Sequence, residues 1–190
     1  MRQEYNVGGM PVKRYSIPKW ETKKKKILSL ALDFIEQSDG AFSDYWNTVK
    51  PRTKHPYASE FFKTLEFEPH LEFGMNESEC LCTSMWCMKY LKEGSIHVHD
   101  HNYGMSGILY ANFDPTEHKA TTFIPPIRDI WSNGVINFTP DVTEGDLILF
   151  PSQLLHFSNP VTSNKPRIIY SFNFGTTFKK DHGRVMDEDA

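Results

Sequence analysis

At 190 residues, with a hydrophobic content of 39%, the chain is long enough for one domain with a sizeable core. A formal charge of −3 offers no electrostatic case for an obligatory nucleic-acid partner, and no run of about 18 apolar residues is present to span a membrane. Met1-Arg-Gln-Glu-Tyr-Asn6 lacks a signal core, and Cys80, Cys82 and Cys87 make neither a disulfide framework nor a paired zinc pattern, so a cytoplasmic protein is expected.

Residues 1 to 20, with Gly8-Gly9, Pro11 and Pro18, read as a leading arm holding one short strand, Val12 to Ile17. From Thr22 the apolar residues Ile27, Leu28, Ala31, Leu32, Phe34 and Ile35 recur at helical spacing, and a helix is predicted to run to Asp39-Gly40. Lys23 to Lys26 fall in its first turn, where the macrodipole disfavours cations, and read as a solvated face. Residues 43 to 56 look irregular, and a second short helix is predicted from Ser59 to Leu65 with Ser59 as its cap. The chain divides into a single domain over 1–178, whose first 75 or so residues are a helical extension, and a charged tail over 179–190 expected to be flexible.

From Cys80 to Leu91 the pattern is that of a strand, with Trp86, Met88 and Tyr90 alternating against Cys87, Lys89 and Leu91. On such a strand Cys80 and Cys82 face one way and Cys87 the other, as small buried hydrophobes. A turn at Lys92-Glu93-Gly94 then predicts a hairpin with Ser95-Ile-His97-Val-His99-Asp100-His101. Residues two apart share a strand face, so His97, His99 and His101 would point together. A close pair of imidazoles plus one distant histidine is an economical way to hold a first-row metal, and His99, His101 and His156 fit it.

The next predicted strand is Met105 to Asn112, followed by an irregular stretch from Phe113 to Gly134. A loop of that length suggests a lid or a substrate-facing wall, with Phe123 and Trp131 as candidate contacts; both could equally pack at the edge of the core. His118 in this loop reads as solvent-exposed. Strands Val135 to Phe138, Asp146 to Phe150 and Arg167 to Phe174 complete the sheets. Arg167 follows His156 by eleven positions, and a strand pairing beside that of His156 would bring its guanidinium to the metal, ready to grip an acidic small molecule. Tyr110 could donate to the same carboxylate, and the competing role for Arg167 is an ion pair with Asp146. Asn112 and Asn173 either point into that cavity or end their strands.

Together these motifs resemble the Fe(II)- and 2-oxoglutarate-dependent dioxygenases, in particular a branch met often in bacteriophages. The likeness runs from Trp86 to Phe174. It is carried by His99-x-His101, Ser106-Gly107-x-x-Tyr110, Gly145-Asp-Leu-Ile-Leu-Phe-Pro151-Ser with His156, and Arg167 with Ser171-Phe-Asn173. The resemblance implies a mainly β, double-stranded β-helix fold, jelly-roll and cupin-like, with the N-terminal helices packed outside. It further implies Fe(II) held by His99, His101 and His156, and 2-oxoglutarate chelating that iron with its far carboxylate on Arg167, Tyr110 and Ser171. The implied reaction converts 2-oxoglutarate to succinate while hydroxylating a second substrate, either a protein residue such as proline or a small molecule, with no catalytic side chain beyond the metal centre. Most of that superfamily carries His-x-Asp where this chain has His99-Asp100-His101. A three-histidine site, a contribution from Asp100, and a register using His97 with His99 are all open; the His-x-His of the resembling branch favours the first. A cupin-type metal- or sugar-binding module expects a Glu three or four residues past the second histidine, where Asn102 to Met105 supply none. A non-catalytic jelly-roll protein is the other alternative, and a homodimer is left open.

Overall fold

The computed structural model describes residues 2–37, 42–43, 57–73, 80–101, 104–129 and 131–176. Its strands are β1 (Arg2–Val7), β2 (Met10–Ser16), β3 (Phe42–Ser43), β4 (Cys80–Tyr90), β5 (Ile96–His99), β6 (Met105–Asn112), β7 (Thr122–Phe123), β8 (Asp146–Pro151), β9 (His156–Ser158) and β10 (Arg167–Thr176). Among the described residues, the helices α1 (Trp20–Ser29), α2 (Leu32–Gln37), α3 (Ala58–Leu65) and α4 (Pro69–Phe73) precede β4. Seven strands form one antiparallel sheet in the order β1-β2-β8-β6-β10-β4-β3, and β5-β9-β7 form a smaller one. This is the jelly-roll arrangement of a double-stranded β-helix. No described helix is long and apolar enough to cross a membrane.

Strand alternation divides the core in two. Met85, Cys87, Leu109, Leu147, Leu149, Tyr170 and Phe172 leave the large sheet on its helical side and pack with Ile27, Phe61 and Leu65. Trp86, Met88, Tyr90, Ile108, Tyr110, Ile148, Phe150 and Ile169 leave it on the other side and pack with Phe123 of the small sheet. The alternation of Trp86, Met88 and Tyr90 is therefore as expected, and these side chains line the inside of the barrel. Gly107 of β6 is where the helical side is tightest: a Cβ there would stand 2.1 Å from the Phe172 ring.

Several expectations are corrected. The leading arm is a hairpin, β1 on β2, and β2 pairs with β8, so residues 2–16 extend the main sheet. The first helix breaks after Ser29, turning Leu32 outward at 44% exposure while Ile27 and Ala31 stay buried; the apolar run is too wide for one face of a continuous helix. Its predicted end at Asp39-Gly40 lies outside the described residues. The basic run is a solvated face only in part: Lys25 and Lys26 are exposed, but Lys23 is not. Buried Lys23 donates to the Leu65 carbonyl at the end of α3, Lys24 pairs with Glu144 at 2.7 Å, and Lys26 pairs with Glu60. Ser59 sits inside α3, whose N-cap is Tyr57.

Pairing across the sheets accounts for the other corrections. Opposite β10, register slips so that Asn173 faces Ser84 and Phe174 faces Cys82, leaving Thr83 as an extra residue. That bulge reverses the facing of the strand start, so Cys80 and Cys82 pack on the same cluster as Cys87 rather than opposite it. No hairpin joins β4 to β5: β4 pairs with β10 and β3, whereas β5 crosses to pair with β9. Val135 to Phe138 is not a strand; Phe138 makes one bridge to Phe123, and Val135 and Ile136 are exposed. His118 is buried, held between the Lys165 carbonyl and the Asp114 amide. The tail at 179–190 lies outside the described residues.

Candidate metal centre

The small sheet builds the site. β5 and β9 run antiparallel with His99 directly opposite His156, and this cross-strand pair holds the two ring centroids 4.3 Å apart. His101 follows two residues beyond His99, with its ring 5.3 Å from each of the other two. One ligand atom from each of His99, His101 and His156 lies within 4.8 Å of the others. His97 is exposed and outside this group, as is Asp100, and no carboxylate joins it among the described residues.

Two of the rings have a fixed tautomer. His99 Nδ1 donates to the His97 carbonyl at 2.7 Å, and His156 Nδ1 donates to the Leu154 carbonyl at 2.8 Å. A carbonyl can only accept, so each ring is protonated at Nδ1 and presents the Nε2 lone pair. Burial also disfavours protonation, pushing His156 down to about 3 and His101 down to about 4, with the neighbouring imidazoles adding to the effect. His101 and His156 are therefore kept as neutral nitrogen donors, and with the Nε2 lone pair of His99 they make a set suited to a divalent transition metal.

The rings open onto a cavity of about 630 Å³ inside the barrel. Ser171 and Asn173 line it, as do Tyr90, Thr121 and Ser158, which sequence reasoning missed. The missed residues carried a signal: Tyr90 shares the inward phase of Trp86 and Met88, and Ser158 lies two residues past His156 on its strand. Tyr90 and Ser158 are joined through their hydroxyls at 3.1 Å.

Neither Arg167 nor Tyr110 is among the residues lining that cavity; Arg167 stacks on Tyr90, which is, and comes there by a different route from the one expected. Its strand pairs with β4 and β6 in the large sheet, not with the His156 strand. The guanidinium is 2% exposed and lies 4.3 Å over the Tyr90 ring. Nη1 donates to the Lys119 carbonyl at 2.6 Å and Nη2 to the Asn159 carbonyl at 3.0 Å, while Nε has no partner. Burial pushes its pKa down, and no carboxylate pairs with it among the described residues. Asp146 is taken by Arg14 at 2.8 Å. Tyr110 is buried beside this cation and accepts the Thr121 amide at 3.1 Å, which leaves its own proton to give.

Of the remaining candidates, only Phe123 is brought to the histidines. Phe123 is fully buried, packed on Phe150 at 4.8 Å and on His156 at 6.0 Å, so it supports a ligand ring. Trp131 is 91% exposed on a turn tied by Asp129 and is not part of the cavity wall. Asn112 spends its amide on the Pro166 carbonyl at 2.6 Å.

Residues 84–173 match the family model described as "Putative 2OG-Fe(II) oxygenase". These residues belong to the 2OG-Fe(II) oxygenase family. The matched span runs from β4 into β10 and contains His99, His101, His156 and Arg167. Among solved structures, the chain resembles HygX from Streptomyces hygroscopicus with nickel and 2-oxoglutarate bound (12% identity, 91% of this chain and 84% of that one, TM-score 0.61). It also resembles a Pseudomonas putida prolyl-4-hydroxylase (11% identity, 90% and 93% covered, TM-score 0.57). A third is the non-heme α-ketoglutarate-dependent epimerase SnoN from nogalamycin biosynthesis (12% identity, 90% and 77% covered, TM-score 0.61). At these identities the likeness is one of fold. No curated protein matches the sequence.

Proposed function

We propose that this oxygenase couples the oxidative decarboxylation of 2-oxoglutarate to hydroxylation of a second substrate at a three-histidine iron site. The observation that carries the reading is the convergence of the imidazoles of His99, His101 and His156 on one point at the mouth of the cavity. Fe(II) bound there would supply the activation of O2, one oxygen atom going to succinate as CO2 leaves and the other to the hydroxylated product.

The chain's own residues do the rest. His99 and His156 hold their lone pairs on the metal side through Nδ1 hydrogen bonds, and His101 completes the face. Arg167 supplies the buried positive charge for the far carboxylate of 2-oxoglutarate. An uncompensated buried cation is costly, and an anionic ligand beside it recovers that cost. Tyr110, with a hydroxyl proton to give, and Ser171 on the cavity wall supply further hydrogen bonds. The apolar wall of Trp86, Met88, Ile108 and Ile169 keeps water from the reacting centre. Asn173 reaches that wall with its amide already bonded to Ser106 and Ser84, so it shapes the wall facing the second substrate, a protein residue such as proline or a small molecule.

The test is succinate release from 2-oxoglutarate with Fe(II) and O2, alongside His156→Ala. The wild-type chain is expected to release succinate slowly without its second substrate and the variant not at all. Retention of stoichiometric iron by the variant would refute the ligand assignment.

A further inference from the structure

The three imidazoles are held in different ways. His99 and His156 are fixed through their rings by backbone carbonyls. His101 lies beyond the end of β5, against Trp86 at 5.7 Å, and no described residue gives its ring a hydrogen bond. It is anchored instead through its backbone. The His101 amide donates to the Ser152 carbonyl at 2.8 Å, and the Ser152 amide donates to the Gly104 carbonyl at 3.0 Å. One residue thus bonds both His101 and Gly104 through its backbone. Gly104 makes the grip possible: its φ is +86°, and a Cβ there would stand 1.9 Å from the Phe174 carbonyl oxygen.

Ser152 is fully buried, and its side chain is tied in turn. Its Oγ lies 2.9 Å from Ser106 Oγ, which lies 2.7 Å from Asn173 Oδ1, and Asn173 Nδ2 lies 2.9 Å from Ser84 Oγ. Asn173 Oδ1 only accepts, so Ser106 gives it the single hydroxyl proton it has, and Ser152 must be the donor to Ser106. The chain of bonds runs one way, from Ser152 through β6 and β10 to β4. Ser152 also belongs to the β8–β9 connection that delivers His156. It therefore joins the segment of one candidate ligand to the segment of another, and both to the inner wall of the barrel.

We propose that Ser152 is a positioning residue for the third ligand: it clasps the His101 segment to the connection carrying His156, and Ser106, Asn173 and Ser84 anchor the clasp. The proposal rests on the metal reading above. His101 reaches the metal by placement of its backbone, so it is the ligand released first when the clasp loosens.

The test uses the full chain and Co(II) as the probe, read by calorimetry and by the visible absorption of the bound ion. Ser152→Ala and Ser106→Ala are each expected to weaken Co(II) binding by about 3- to 10-fold, less than the roughly 10- to 100-fold that follows loss of a hydrogen bond made directly to a ligand. Their absorption should move toward that of His101→Ala and away from that of His156→Ala. Because the two hydroxyls belong to one chain, the double variant should be no more than about threefold weaker than the weaker single. Far-ultraviolet dichroism checks the fold, and Ser106→Ala keeps the test alive if Ser152→Ala fails to fold. Binding within twofold of wild type with an unchanged spectrum in the folded variants would overturn the clasp while leaving the metal site standing. Failure of the wild-type chain to bind Co(II) would overturn the metal reading, and the clasp with it.

Discussion

Replacing Arg167 by methionine asks whether the buried cation serves the cosubstrate or only the fold. In the native chain the guanidinium is 2% exposed, donates to two carbonyls at 2.6 and 3.0 Å, and lies 4.3 Å from the Tyr90 ring centroid. Its removal strands the carbonyls of Lys119 and Asn159, at about 1–3 kcal/mol each, and removes a desolvated cation–π contact of about 2 kcal/mol. It also removes an unneutralised charge whose burial costs several kcal/mol. These effects nearly offset, so the metal-free variant is expected to lose no more than about 3 kcal/mol of stability. Cosubstrate binding has no such offset. Losing the cation opposite a buried carboxylate costs about 2–5 kcal/mol, a weakening between about thirtyfold and several thousandfold. The assay is calorimetric titration of 2-oxoglutarate into the Co(II)-loaded protein, with Co(II) affinity itself expected to be unchanged. An affinity for 2-oxoglutarate within threefold of wild type would remove Arg167 from the site.

His101→Ala is expected to cut metal affinity at least about tenfold, whereas Asp100→Ala, which alters an exposed side chain outside the cluster, should change it less than threefold by the same titration. For the metal-free protein, His156 is held at about 3 by burial against 6.5 for the ordinary group. Above pH 6.5 neither state binds the proton; below it the unfolded chain does and the native one does not. His101, pushed down to about 4, adds the same effect, so stability should fall as pH drops by about 1.4 kcal/mol per unit for each ring, or about 2 kcal/mol each between pH 6.5 and 5, and His156→Gln should about halve that slope in urea unfolding. A Cβ at Gly107 would press on the Phe172 ring at 2.1 Å and on Leu149 at 2.9 Å, both fully buried. Gly107→Ala is accordingly expected to cost about 1–3 kcal/mol in thermal or urea unfolding, with an unchanged midpoint counting against this account of the core.

What the sequence determined by itself was what depends on neighbours a few residues away. Alternation along β4 placed Trp86, Met88 and Tyr90 on one face, the strand Met105–Asn112 was predicted with the bounds observed, and the close pair His99 and His101 needed only a distant third imidazole. Tertiary structure decided the rest, because each outcome depended on a partner far along the chain. Whether Lys23 met water or the end of α3, which way Cys80 and Cys82 turned around the Thr83 bulge, and which strands flanked Arg167 were set by pairings between distant segments. The same holds for Ser152: the motif Phe150-Pro151-Ser152 marks its place before His156, but only the closing of the barrel brings His101, Gly104 and Ser106 to it.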